Sequence, residues 1–249
     1  MSPIGSCHNY QFLIKRWRIL AKSAGLKSRK FSERDDLPCY EFCSVKDISE
    51  ARLYVSAGIH GDEPAGTEGL LAWAEKNYKL LSNTPLVIYP CLNPWGLTEN
   101  SRLNSRGNDL NRSWDKSGEV TISEVIERTE HACFSLAVNL HEDYDADGIY
   151  LYEPPAGKKR DDLASRILNA GRKYIPIDSR KKIEGSWAKN GIIRPAPSSL
   201  PKEGLPEAAF LQKFRSDRTF VFETPSEYDL RTRVQAQVAM LERAVSEIL

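Results

Sequence analysis

Apolar residues at Tyr10, Leu13, Ile14, Trp17 and Leu20 recur at helical spacing, so residues 8 to 24 predict an amphipathic helix with one buried face. A polar, turn-like stretch follows. Short apolar runs then take over: Cys39 to Val45 and Arg52 to Ala57 read as strands, with Pro38 suited to the entrance of an edge strand. Leu70, Leu71, Trp73 and Leu80 mark a helix from about Pro64 to Leu81. Pro64 is tolerated in its first turn, where a missing N–H would have no partner in any case. Leu86 to Tyr89 reads as a buried strand, Phe134 to Leu140 as a strand ending at His141, Ile149 to Tyr152 as a short strand, and Thr219 to Phe222 as a strand ending at Glu223. Residues 159 to 174 read as a helix. Val234, Val238, Leu241, Val245 and Ile248 give a helical spacing to Arg231 to Leu249. Pro195, Pro197, Ser198, Ser199, Pro201, Gly204 and Pro206 mark a long surface loop.

Strands alternating with helices predict an α/β fold in which a mixed, mainly parallel sheet carries helices on both faces. At 249 residues, with 41% apolar and 28% charged positions, the chain can bury a substantial core, and a single domain over 1–249 is expected. Basic and acidic residues number 35 and 34, a formal +1. That balance argues against nucleic acid or an acidic membrane as partner and favours small-molecule or peptide chemistry. His8, Asn9, Gln11, Lys15, Arg16 and Arg18 break up the apolar residues of Met1 to Leu20, unlike a signal peptide. No run approaches the ~18 apolar residues of a membrane span. A soluble cytoplasmic protein is the expectation. Five scattered cysteines with no C-x-x-C pair read as free buried thiols.

The chemistry lies just past the strands. His60 and Glu63 follow one apolar run, His141 ends a second and Glu223 ends a third. Ligands of open α/β sheets gather at the carboxyl ends of strands, so these groups are expected at one edge. Two imidazoles and one carboxylate form a three-ligand set that leaves the fourth position of a zinc tetrahedron open. Metal coordination lowers the pKa of water toward about 7, and a further carboxylate can then take and return the proton. Glu223 is the candidate for that task. Each residue alone is weak: His-x-x-Glu recurs by chance, and Glu223 could instead cap a helix or pair with Arg218 or Arg231. Their joint placement carries the reading.

Five motifs stand in order: Gly58-x-His60-Gly61-x-Glu63-x-x-Gly66, Leu92-Asn93-Pro94-x-Gly96, Arg102-x-Asn104-x-x-Gly107-x-Asp109-Leu110-Asn111-Arg112, Leu140-His141, and Phe222-Glu223-Thr224-Pro225-Ser226. Together, over residues 52 to 228, they resemble the zinc carboxypeptidases, peptidase family M14. The resemblance implies a zinc-carboxypeptidase-like fold, one zinc ion held by His60, Glu63 and His141, and Glu223 as general base and acid. It implies that Arg102 stabilises the oxyanion, with Arg106 a competing choice, and that Asn111 and Arg112 hold the substrate's carboxylate. A guanidinium suits that task because its planar fork meets a carboxylate with two parallel hydrogen bonds. Asn93-Pro94 is expected to shape a turn.

With 77 residues between Glu63 and His141, the chain looks more like a short bacterial branch that includes murein-peptide amidases and the succinylglutamate desuccinylase and aspartoacylase group. The expected activity is hydrolysis of an amide next to a free carboxylate. An N-acyl amino acid deacylase is the alternative, and a non-catalytic zinc-containing peptide-binding module is a third reading that Glu223 argues against. The substrate is then a peptide or acylated amino acid bearing a free carboxylate. Glu142, Asp143, Asp145 and Asp147 read mainly as a solvated turn, and the twelve-residue spacing and terminal Glu of an EF-hand are absent. His131 reads as a surface histidine. Residues 185–191 are open between a pocket border and a structural loop. Asp62 is expected to accept hydrogen bonds at the turn and helix start.

Overall fold

The computed structural model describes residues 7–116, 118–155, 161–196 and 201–247. Helix α1 (Tyr10–Ala24) is capped by the Asn9 side chain, which accepts the Phe12 N–H, and it stops at Gly25 in the left-handed region. Its buried face is the one read from the spacing, and Trp17 stacks on Phe42 with ring centroids 5.2 Å apart. Strand β1 (Lys27–Arg34) occupies the stretch read as a turn and pairs antiparallel with β2 (Leu37–Cys43). It is the outermost strand at this end of the sheet, so Pro38 lies within the second strand and not at the entrance of an edge.

Strand β3 (Leu53–Ala57) leads into α2 (Pro64–Lys76), which breaks at Asn77 before the short α3 (Tyr78–Leu81). After β4 (Leu86–Tyr89) come α4 (Pro94–Glu99) and α5 (Val120–Arg128), neither read from the apolar spacing. Asn93 caps α4 by accepting the Gly96 N–H, in keeping with its expected turn role. Strand β5 (Leu136–Asp143) is buried along its whole length, and β6 (Tyr150–Tyr152) follows. Helix α6 (Leu163–Gly171) is shorter than the periodicity implied, and residues 159–160 of that expectation lie outside the described residues.

Strands β7 (Lys182–Ile183), β8 (Ser186–Lys189) and β9 (Ile192–Ile193) form a small antiparallel ribbon. Helix α7 (Glu207–Phe214) begins immediately after the proline-rich stretch read as loop; Pro197, Ser198 and Ser199 lie outside the described residues. Strand β10 (Thr219–Pro225) and α8 (Leu230–Val245) complete the chain, with Ile248 again outside the described residues.

The ten strands form one sheet in the order β1-β2-β4-β3-β5-β10-β6-β9-β8-β7. Its centre is parallel: β3 pairs with β4 and β5, and β5 pairs with β10. Burial on both faces explains the mainly apolar composition of these strands. One face packs against α1, α2, α6 and α8, and the other against α5 and α7. This is the single α/β domain with a mixed sheet expected from the sequence. Within it β3, β5 and β10 are neighbours, so their carboxyl ends open side by side. Among the described residues no helix is long and apolar enough to cross a membrane.

Candidate metal centre

The turn that leaves β3 depends on close backbone approach. Gly58 has φ +62°, and a Cβ on Gly61 would stand 1.8 Å from the Gly96 carbonyl carbon, so no side chain fits there. Gly61 N–H donates to the Ser101 carbonyl, which ties this turn to the loop carrying Arg102. His60 and Glu63 thereby face the end of β5. His141 and Glu223 lie inside β5 and β10, not beyond them, and are paired with each other in the parallel register. Gln237 of α8 holds the backbone at His141, donating its amide to the His141 carbonyl at 2.8 Å.

His60 Nδ1 lies 2.6 Å from Glu63 Oε1 and His141 Nδ1 lies 2.8 Å from Glu63 Oε2. One donor atom from each of the three residues comes within 4.8 Å of the others, and all three side chains are buried. Among the described residues this is the one cluster of three or more such side chains with that spacing. Its donor set, two imidazole nitrogens and a carboxylate, fits a catalytic zinc ion with an open position. Burial alone would raise the Glu63 carboxyl, but the two imidazoles outweigh it and hold the group well below the usual carboxylate range. Burial likewise opposes a charge on His60, yet Glu63 and Asp109 raise its imidazole to about 9.

Asp109 is the residue that motif reading left without a role. Its Oδ1 lies 3.2 Å from His60 Nε2, the nitrogen turned away from Glu63, and it also accepts the Asn111 N–H at 2.8 Å. Its Oδ2 accepts from Arg102 Nε and Nη2 at 3.2 and 3.1 Å. Arg102 Nη1 is 3.7 Å from Glu63 Oε1, so this guanidinium sits beside the ligand cluster. Arg106 donates to the Gly118 carbonyl and does not line the cavity.

A cavity of about 330 Å³ opens over these groups and is lined by Arg102, Asn111, Arg112, His141 and Glu223 as well as His60 and Glu63. The structure thus brings all seven sequence-derived site residues to one place. Asn111 Oδ1 accepts the Glu207 N–H at the start of α7, leaving its amide NH2 for another partner. Arg112 donates one nitrogen to the Asn111 carbonyl. Glu223 is 7% exposed and accepts no hydrogen bond from a described residue. Burial, reinforced by Glu63, Glu184 and Asp143, raises its carboxyl well above the usual range.

Several expectations around the site change. Glu142 and Asp143 belong to β5 and are buried, not a solvated turn. Glu142 pairs with Arg233 and accepts the Ala65 N–H, clamping the start of α2 to the end of β5, and burial takes its carboxyl up to about 7 against the pull of Arg233. Asp62 is exposed, and the cap position of α2 falls to Glu63, whose carboxyl is turned to the histidines and makes no capping bond. Residues 185–191 are part of the ribbon, and Ser186 lines the cavity. Cys39, Cys43 and Cys91 are buried free thiols, whereas Cys133 is exposed.

Residues 49–145 match the family described as the succinylglutamate desuccinylase/aspartoacylase catalytic domain. Carboxypeptidase D of Homo sapiens is 33% identical over 39% of this chain, a stretch that spans 9% of that relative's own length. Among solved structures, a candidate metallopeptidase of Shewanella amazonensis superposes with a TM-score of 0.84 at 21% identity, covering 97% of this chain and 94% of the other. One from Shewanella baltica gives 0.85 at 20% identity, with 98% and 94% covered. The likeness to these solved structures is one of fold. The shared fold extends over 97% of this chain, while the family match is confined to the stretch that holds β3, His60 and Glu63, the Arg102 to Arg112 loop and β5.

Proposed function

We propose that this protein is a zinc-dependent hydrolase that cleaves an amide bond next to a free carboxylate. The observation that carries the proposal is the convergence of His60, Glu63 and His141 with the buried Glu223 on one cavity that also presents Arg102 and Arg112. Zinc, when bound by these three residues, supplies a Lewis acid that polarises a carbonyl and acidifies water. Glu223, which opens onto the cavity beside the three clustered donors, takes the proton of the attacking water and returns it to the leaving amine. Arg102, held in place by Asp109, donates to the carbonyl oxygen as negative charge develops there. Arg112 and the NH2 of Asn111 hold the substrate's carboxylate and so select the bond beside it. Chelator-treated protein should lose hydrolysis of carboxylate-ended amides and regain it with zinc; undiminished hydrolysis by metal-free protein would overturn the reading.

The match of residues 49–145 favours a second reading, deacylation of a small N-acylated amino acid by the same residues. A panel of peptides, γ-linked cell-wall peptides and N-acyl amino acids separates the two by relative kcat/KM.

A further inference from the structure

Two sets of residues with different chemistry line the cavity. Arg102, Asn111 and Arg112 approach from the loop beside α7, next to apolar Pro206 and Ala208. Asp143 at the end of β5 and Glu184 at the tip of the β7–β8 turn bring carboxylates instead. Neither acid forms a salt bridge within the described residues. Asp143 accepts the Tyr150 hydroxyl at 2.9 Å and the Asp145 N–H, and Glu184 accepts the Tyr152 hydroxyl. The nearby Arg180 is committed to Asp178 and Asp147, and Arg233 to Glu142.

Glu223, nine-tenths buried and without a hydrogen bond from a described residue, opens onto the same space. Three carboxyl groups therefore share one cavity, and among the described residues Asp143 and Glu184 are bonded to hydroxyls and an N–H group but none of the three to a cation. Asp143 and Glu223 are buried, whereas Glu184 is exposed; a carboxylate removed from water with no cation bonded to it is stabilised by one that a ligand can bring.

The ribbon's two turns differ in a way that singles out Glu184. Ile183 pairs with Ser186 and Lys189 with Ile192, so each turn has two central residues, and all four have positive φ. Asn190-Gly191 is a preferred sequence for such a turn. The other turn uses Glu184 at φ 46°, a region disfavoured for Glu, and that Glu is the one whose side chain lines the cavity.

We propose that Glu184, together with Asp143, makes this cavity selective for substrates that carry a cationic group, an ammonium or a guanidinium, in addition to the carboxylate. The proposal rests on the hydrolase reading above and adds the substrate's charge to it. Dicarboxylic N-acyl amino acids are disfavoured by the same carboxylates.

The test is calorimetric titration of the zinc-loaded full chain with ligands that resemble products and need no turnover. Nα-acetyllysine carries only a side-chain cation, leucine only an α-ammonium, Nα-acetylnorleucine no cation and N-acetylglutamate a second anion. Nα-acetyllysine or leucine should bind about tenfold more tightly than Nα-acetylnorleucine, the size expected of a hydrogen bond between charged groups. Which of the two gains identifies the cation recognised, and N-acetylglutamate should bind most weakly. Glu184→Gln, and separately Asp143→Asn, should narrow the ratio. Equal affinities for the cationic and neutral ligands, or a ratio unchanged in both variants, would overturn the proposal. Because these affinities do not depend on turnover, the charge selectivity and the hydrolase reading can fail independently.

Discussion

His60 and Asp109 are joined at 3.2 Å through the imidazole nitrogen that faces away from Glu63. One carboxylate, Glu63, thus meets Nδ1 while another meets Nε2, and the ring is fixed from both sides. The same Asp109 holds Arg102 and caps the turn before Asn111. It links the ligand cluster to the residues assigned to the substrate.

Removing that link should loosen the metal. Asp109→Ala is expected to weaken zinc affinity by about 10–100-fold, as loss of a carboxylate behind a ligating histidine does elsewhere. Competition with a chromophoric chelator measures it. Unchanged zinc affinity would show that Asp109 does not orient His60.

Arg112 should govern recognition more than chemistry. Arg112→Lys keeps the charge and loses the planar fork, so KM for carboxylate-ended substrates should rise on the order of tenfold while kcat changes less. Steady-state kinetics on a peptide and on its C-terminal amide check this. The amide should be a poor substrate for both forms.

Glu207 provides a pH test that does not depend on activity. It is buried at the start of α7, where Tyr54 donates to one of its oxygens at 2.7 Å. Burial raises its carboxyl from 4.5 to about 7. Between those values the folded protein retains a proton that the unfolded chain has released, so this group's contribution to stability falls as pH rises. Above about 7 the full penalty applies, on the order of 3 kcal/mol for a shift of this size. Glu207→Gln keeps an acceptor for Tyr54 and removes the charge. In denaturant unfolding from pH 4 to 8.5, the variant should gain stability over the parent as pH rises, and a constant difference would contradict the assignment.

The legible parts of the fold were those where burial dictates composition. Leu53 to Ala57 and Leu136 to Leu140 are buried on both faces, and their mainly apolar character follows from that; the polar exceptions, Ser56 and Asn139, hydrogen-bond to each other at 2.8 Å. Strand β1 was missed because its sequence, Lys27 to Arg34, is polar at almost every position; Ser32 alone is buried, with Phe31 and Arg34 half-buried. Helix α7 was obscured by the prolines before it, although Pro206 stands just outside the helix and the apolar residues Phe210 and Leu211 anchor it to the core. The ribbon had a readable signal in Asn190-Gly191, a two-residue hairpin turn.

At the site, residue types and order were enough to nominate His60, Glu63, His141 and Glu223. Asp109 lay within a quoted motif, but its contact with His60 crosses 49 positions and depends on how the loop folds back. Glu184 and Glu207 belong to no motif, and their roles arise from a turn and a helix start that place them against distant residues.

The hydrolase account rests most directly on Glu223. Glu223→Gln should bind zinc with unaltered stoichiometry, because this carboxyl is not among the three clustered donors. Its turnover of a carboxylate-ended amide should fall by about 100- to 10,000-fold, the range expected for loss of a general base. Metal content and kcat measured on the same preparation are decisive: full zinc with turnover lost is the predicted result, and full zinc with near-normal turnover would contradict the account.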